Sequence, residues 1–306
     1  LTNVFYCFKI LDLKIKFAGF DKALFAEIFN YSFFVFLGAI AYQIYWNSDQ
    51  FIIAMFVGAA PIAIYAVSSQ FNTYFLSLSN VLSSMFLPKL TKMVAGEENK
   101  NDLMKLLTKI GRIQYYICSY IFLGFVLVGK QFIIAWVGDG YSYCYLIAIV
   151  LMFPQIFSII QSLFATMLEA MNKHRVKAYI YLTIAILNIL ISIVLVKKYQ
   201  GMGCAIGTAI GMIINAIANN VYYKFIIKLD IKYFWMNILK LVIPTSITFG
   251  LGFLALSLFS LTSYISILMF GVLFTIIYFI VFWIMGFNKY EKKIFISVLN
   301  KGRIKQ

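Results

Sequence analysis

Apolar positions along this chain gather into runs of about 20 residues or more, set apart by short polar connections, and polarity does not alternate inside the runs. Runs of that length predict helices that cross a bilayer. A membrane barrel would instead show alternating segments of about ten residues. The pattern predicts an all-α, polytopic transmembrane helix bundle of about 8 spans, at 28–56, 61–87, 113–135, 143–170, 178–196, 204–226, 238–257 and 264–285. Pro61 is read as opening the second span and Pro88 as closing it, because proline lacks an amide donor. As one helix, 143–170 would be about 42 Å long and would have to tilt or protrude from a hydrocarbon core of about 30 Å. Gly201-Met202-Gly203 reads as a turn, and Gly207 with Gly211 as a small-residue spacing for close helix packing.

Basic residues then orient the spans. Of the 26 lysines and arginines, 23 fall in residues 1–27, 88–112, 171–177, 224–240 and 286–306. Only Lys130, Lys197 and Lys198 fall in the opposite connections. Such a split predicts both chain ends on the cytoplasmic side, and a miscounted span would scramble it. The net charge of +15 is therefore read as a topology signal rather than as a nucleic-acid surface. Residues 1–27 read as a cytoplasmic or interfacial linker. The stretch around Glu97 and Glu98 reads as a solvated cytoplasmic connection.

Composition agrees with a membrane chain: 63% hydrophobic, 12% charged and a mean hydropathy of +0.90. A soluble domain is about a quarter charged. Cys7, Cys118, Cys144 and Cys204 are far apart and read as inert buried thiols, and the lone His174 makes no metal site, so neither a metal nor a cofactor is expected. Hydrolase and nucleotide-binding motifs are missing, which argues against an enzyme.

Polar residues inside spans are the informative exceptions. Gln43, Asn47 and Gln50 share one face of the first span, with Asp49 beside it. Ser69, Asn72, Thr73, Asn80, Ser83 and Ser84 form a stripe on the second. Both faces are expected to turn inward, either lining a hydrated cavity or bonding helices to one another. Asp49 is an ion-coupling candidate, or else a hydrated acid near the outer interface. Weaker polar spots are Gln114, Gln155, Gln161, Asn188, Asn215, Asn219 and Asn220, and Glu169 reads as a helix-end partner for Lys173 and Arg175.

Four stretches in order carry a resemblance. They are Ser48-Asp49-Gln50-Phe51-Ile52-Ile53 with Ala63-Ile64-Tyr65-Ala66-Val67-Ser68; Ser84-Met85-Phe86-Leu87-Pro88-Lys89-Leu90; Trp136-Val137-Gly138 with Leu168-Glu169-Ala170-Met171-Asn172-Lys173-His174; and Asn188-Ile189 with Tyr199-Gln200-Gly201-Met202-Gly203-Cys204-Ala205-Ile206-Gly207-Thr208. Over residues 28–225 the chain resembles the polysaccharide-exporter, or oligosaccharide-lipid flippase, branch of the multidrug/oligosaccharidyl-lipid/polysaccharide superfamily. The resemblance implies the second lobe of a two-lobe transporter of about 12 to 14 helices. Residues 28–226 would be a six-helix C-terminal lobe and 227–306 two additional helices with a basic tail. The first residue is Leu1, and the chain is read as lacking the N-terminal lobe, its partner. The implied activity is flipping of undecaprenyl-pyrophosphate-linked oligosaccharide across the bacterial cytoplasmic membrane by alternating access, for cell-surface polysaccharide. The implied cationic pyrophosphate site finds no match inside these spans. A drug/cation antiporter, a lipid-II flippase and a membrane-embedded glycosyltransferase or polymerase are the alternatives.

Overall fold

The computed structural model describes residues 21–96, 99–259, 261 and 263–293, with side chains at all of these except 78–83 and 174. Most of the linker 1–27, the Glu97-Glu98 connection, the tail beyond residue 293, Cys7 and the His174 side chain lie outside the described residues or side chains. Among the described residues ten α-helices follow one another: α1 Lys22–Phe56, α2 Ala59–Ala95, α3 Lys100–Val137, α4 Cys144–Ile160, α5 Ser162–Ala170, α6 His174–Tyr199, α7 Gly201–Phe225, α8 Ile231–Leu239, α9 Val242–Leu256 and α10 Tyr264–Val281, which runs on as a π-turn over Phe282–Gly286. No strand occurs among the described residues, so the chain is an all-α bundle.

Seven described segments are long and apolar enough to cross a membrane. The eighth expected span is α2. It is long enough at 37 residues, but its Ser, Asn, Thr and Gln positions dilute its apolar character. Three expected boundaries change. Pro88 lies inside α2 rather than closing it. The helix continues to Ala95 because Leu90 and Met93 are buried in the same core as Leu103, Met104 and Leu107, and that burial outweighs one lost amide bond. The stretch before residue 113, expected as a loop, is the start of α3. Its charged residues hide an amphipathic face that buries Leu103, Leu106, Leu107 and Ile110. The 143–170 run resolves its excess length by breaking at Gln161, which ends α4 and opens α5.

Gly201-Met202-Gly203 is not the turn. Gln200 makes it, at φ 53°, and Gly201 already begins α7. The glycines of α7 serve packing instead. A Cβ on Gly207 would stand 3.1 Å from the Ser192 backbone nitrogen, so α6 and α7 approach closely only with glycine there.

α6 is flanked by α1 and α7. α4 packs against α2, α3 and α7, and the trailing helices α8–α10 pack on α3. The basic connections meet at one end of the bundle. Lys100 Nζ donates to the Ile227 carbonyl at 3.1 Å, Lys109 sits 3.5 Å above the Tyr290 ring and Lys173 lies over Tyr222. At the opposite end Tyr264 donates to the Ala135 carbonyl and Lys197 lies over Phe56.

Candidate functional site

Asp49 is the centre of a polar knot between four helices. It is 1% exposed. Tyr65 of α2 and Thr208 of α7 (2.5 Å) donate to its Oδ2, and Ser192 of α6 donates to Oδ1 at 3.3 Å. Asn188, one turn before Ser192, accepts from Ser192 at 3.1 Å and from Thr208 at 3.3 Å through Oδ1, and its Nδ2 donates to the Tyr45 carbonyl at 3.4 Å. Tyr45 closes the ring by donating to the Thr208 carbonyl at 2.6 Å. A buried carboxylate needs compensation, and here hydroxyl dipoles supply it. None of the described lysines or arginines forms an ion pair with Asp49. The knot is an oxygen-rich set that a proton or a small cation could join.

The other sequence-selected residues fall in different places. Gln43 and Asn47 do share a face, and Asn47 Nδ2 donates to Gln43 Oε1 at 2.8 Å, but that face is exposed on this chain. Gln50 and Ser69 are half-buried and Thr73 is exposed. Ser69 and Thr73 donate to carbonyls of their own helix, those of Ala66 and Ser69. Asn72 is buried, and its Oδ1 has no partner among the described residues. Asn80 and Ser83 lie outside the described side chains. Glu169 pairs with Lys177 at 2.6 Å rather than with Lys173 or Arg175, because Lys177 is one turn further into α6 and reaches back across the loop. Tyr65 and Thr208 stand out in the sequence only as members of the stretches that carry the resemblance, and Ser192 only by its four-residue spacing from Asn188, which places both on one face of α6.

A cavity of about 730 Å³ opens beside the knot among α1, α2, α4, α5, α6 and α7. Glu169 and Lys177 line it towards the basic end. Tyr42, Tyr181, Asn215 and Asn219 line its middle, and Tyr45, Ile184 and Met212 its inner limit. Gln155, Gln161 and Ser158 face it from the α4–α5 break. Of the stripe read from the sequence as cavity-lining, Ser84 bounds this space, whereas Gln43, Asn47, Asp49, Gln50, Ser69, Asn72 and Thr73 do not.

A second polar centre fixes the trailing helices. Arg112 of α3 is buried and grips Glu291 with two bonds, Nε to Oε1 at 2.7 Å and Nη2 to Oε2 at 2.9 Å. It also donates to the carbonyls of Asn237 and Gly286, and Tyr116 adds a bond to Glu291 at 2.6 Å. Ser119 with Tyr278 and Tyr115 with Thr245 extend the seam along α3. Burial by itself would raise the Glu291 pKa, but the bonds from Arg112, Tyr116 and the Asn288 amide outweigh it and hold the carboxyl below the ordinary value. Cys118, Cys144 and Cys204 are free and buried. No group of three or more His, Cys, Asp or Glu that could hold a metal occurs among the described residues.

Comparison with known proteins gives a consistent picture. Residues 1–146 match the family described as polysaccharide biosynthesis protein. The capsular polysaccharide biosynthesis protein CapF of Staphylococcus aureus is 30% identical over 151 residues, which is 48% of this chain and 37% of CapF. The fold is shared with a structure of the lipid II flippase MurJ in an inward closed conformation, with a TM-score of 0.67 and 19% identity, over 89% of this chain and 57% of MurJ. The chain thus spans less than two thirds of the length of either. Just under half of the chain, residues 1–146, therefore matches a polysaccharide biosynthesis family, and the helix bundle as a whole has the fold of a membrane flippase.

Proposed function

We propose that this chain is the C-terminal part of a flippase that moves lipid-linked oligosaccharide, of the undecaprenyl-pyrophosphate type, across the bacterial cytoplasmic membrane for cell-surface polysaccharide. Residues 28–226 form the transporter lobe and 227–306 the additional helices with their tail. The N-terminal lobe is its partner, and both ends of this chain face the cytoplasm. The observation that carries the reading is Asp49, an acid buried where four helices of a flippase-type fold meet. Binding a proton or cation there would change the bonds that hold α1, α2, α6 and α7 together, which gives alternating access an energy source. The buried Arg112 is engaged with Glu291, so the pyrophosphate charge is met by residues elsewhere in the whole protein. Complementation tests this: the full-length gene should restore surface polysaccharide in a strain lacking its own oligosaccharide flippase. Rescue only of a strain lacking a lipid-II flippase would reassign the substrate.

A further inference from the structure

Asp49 is sealed differently on its two sides. Towards the opposite end of the bundle lies an apolar cluster of Ile52, Ile53, Ile147, Leu151, Val196, Cys204 and Ala205. Towards the basic end lies the 730 Å³ cavity, whose lining includes Tyr31 and runs to Tyr45, a rise along α1 of about 21 Å for 14 residues. Between that cavity and the carboxylate stands Tyr45. Its ring lines the cavity, and its hydroxyl bonds the carbonyl of Thr208, the residue whose side chain holds Asp49. Gly211 makes room for it: a Cβ there would come within 3.0 Å of the Tyr45 hydroxyl. Trp46 braces the ring edge-on at 5.4 Å.

From this asymmetry we infer that the cavity is the vestibule through which the coupling ion reaches Asp49 from the basic end of the bundle, and that Tyr45 is its gate. The inference rests on the reading of Asp49 as the coupling acid. The vestibule is suited to a small hydrated cation. Tyrosine hydroxyls and the amides of Asn215, Asn219 and Gln155 replace hydration oxygens along it, and Glu169 stands at its mouth beside Lys177. A single tyrosine rotamer change would open the last step, whereas the apolar cluster beyond requires helices to separate.

The Thr208 side chain bonds Asp49 while its carbonyl holds Tyr45, so a cysteine at this position reports entry just behind the gate. In the intact protein with Cys7, Cys118, Cys144 and Cys204 replaced by alanine, a small cationic methanethiosulfonate is applied from either face of oriented vesicles. Met212→Cys, at the inner limit of the cavity, should react from the basic face only. Thr208→Cys should stay silent with Tyr45 present. Tyr45→Ala should raise its rate from that face by at least about tenfold, and Tyr45→Phe, which keeps the ring but loses one hydrogen bond, by about fivefold. If Met212→Cys reacts only from the opposite face or not at all, the vestibule is wrong. If both Tyr45 variants leave Thr208→Cys at the parental rate, the gate is wrong. Full transport by Asp49→Asn would remove the coupling role instead, and the labelling results stand apart from it.

Discussion

Arg112 and Glu291, 179 residues apart in sequence, form a doubly bonded ion pair with both side chains nearly excluded from solvent. The pair joins α3 to the segment just beyond α10, and it carries Tyr116 and two backbone carbonyls with it. The segment that follows α10 is therefore tied to α3 by bonded charge as well as by apolar packing.

Removing one partner leaves the other charge buried. Glu291→Gln or Arg112→Met should destabilise the protein by about 3–5 kcal/mol, because the uncompensated charge costs more than the pair contributes. A double replacement by apolar residues should cost less than either single one. Thermal unfolding in detergent, read for the single variants and the double, measures the difference.

The same pair predicts an acid limit. The Glu291 pKa in the folded state lies below its ordinary value of 4.5, so the unfolded state takes up protons first as pH falls. Its contribution is fully present above about pH 4.5 and is lost as pH drops through the lower folded-state value. The gap in melting temperature between the parent protein and Glu291→Gln should be constant near neutrality and close below that window.

At the polar knot, Asp49→Asn in the full-length protein should abolish transport and leave expression intact. Thr208→Val should keep the shape but leave Asp49 short of a donor, at a cost of about 1–3 kcal/mol in stability. Transport assays beside quantified membrane levels separate the two effects. An Asp49→Asn variant that transports at the parental rate would end the coupling role.

Glycine contacts give a paired test of packing. Gly207→Ala forces α7 off Ser192 and should cost about 1–3 kcal/mol, with loss of transport. Gly250→Ala, where an added methyl meets nothing within 4 Å, should be neutral or gain up to about 1 kcal/mol of helix propensity. The Gly250 variant should melt at or above the parental temperature.

Orientation is open to labelling. Single cysteines at Lys100 and Lys292 should react from one face of the membrane, and those at Asp139 and Lys198 from the other. Lys100 and Lys292 appearing on opposite faces would overturn the layout inferred from the basic connections.

That the chain is a bundle of membrane-length helices was legible because lipid imposes it. An apolar run of bilayer length has few alternatives, and 178–196 and 204–226 each stood out without any knowledge of neighbours. Boundaries were less legible where tertiary burial replaced membrane burial. The start of α3 looked like a charged loop, yet it buries Leu103 and Leu107 against the core of the basic end. The residues chosen for a cavity illustrate the same limit. Gln43 and Asn47 share a face with each other, as periodicity requires, but periodicity does not say what that face meets.

The sequence by itself determined that this chain is a helical membrane bundle, and where its basic connections lie, because those properties depend on local composition and on a period of 3.6 residues. Only the tertiary structure decided that Asp49 joins Tyr65, Ser192 and Thr208, and that Arg112 finds Glu291. Those partners are set by which helix faces pack together. That choice depends on close contacts such as the one Gly207 permits, between residues with no fixed spacing along the chain.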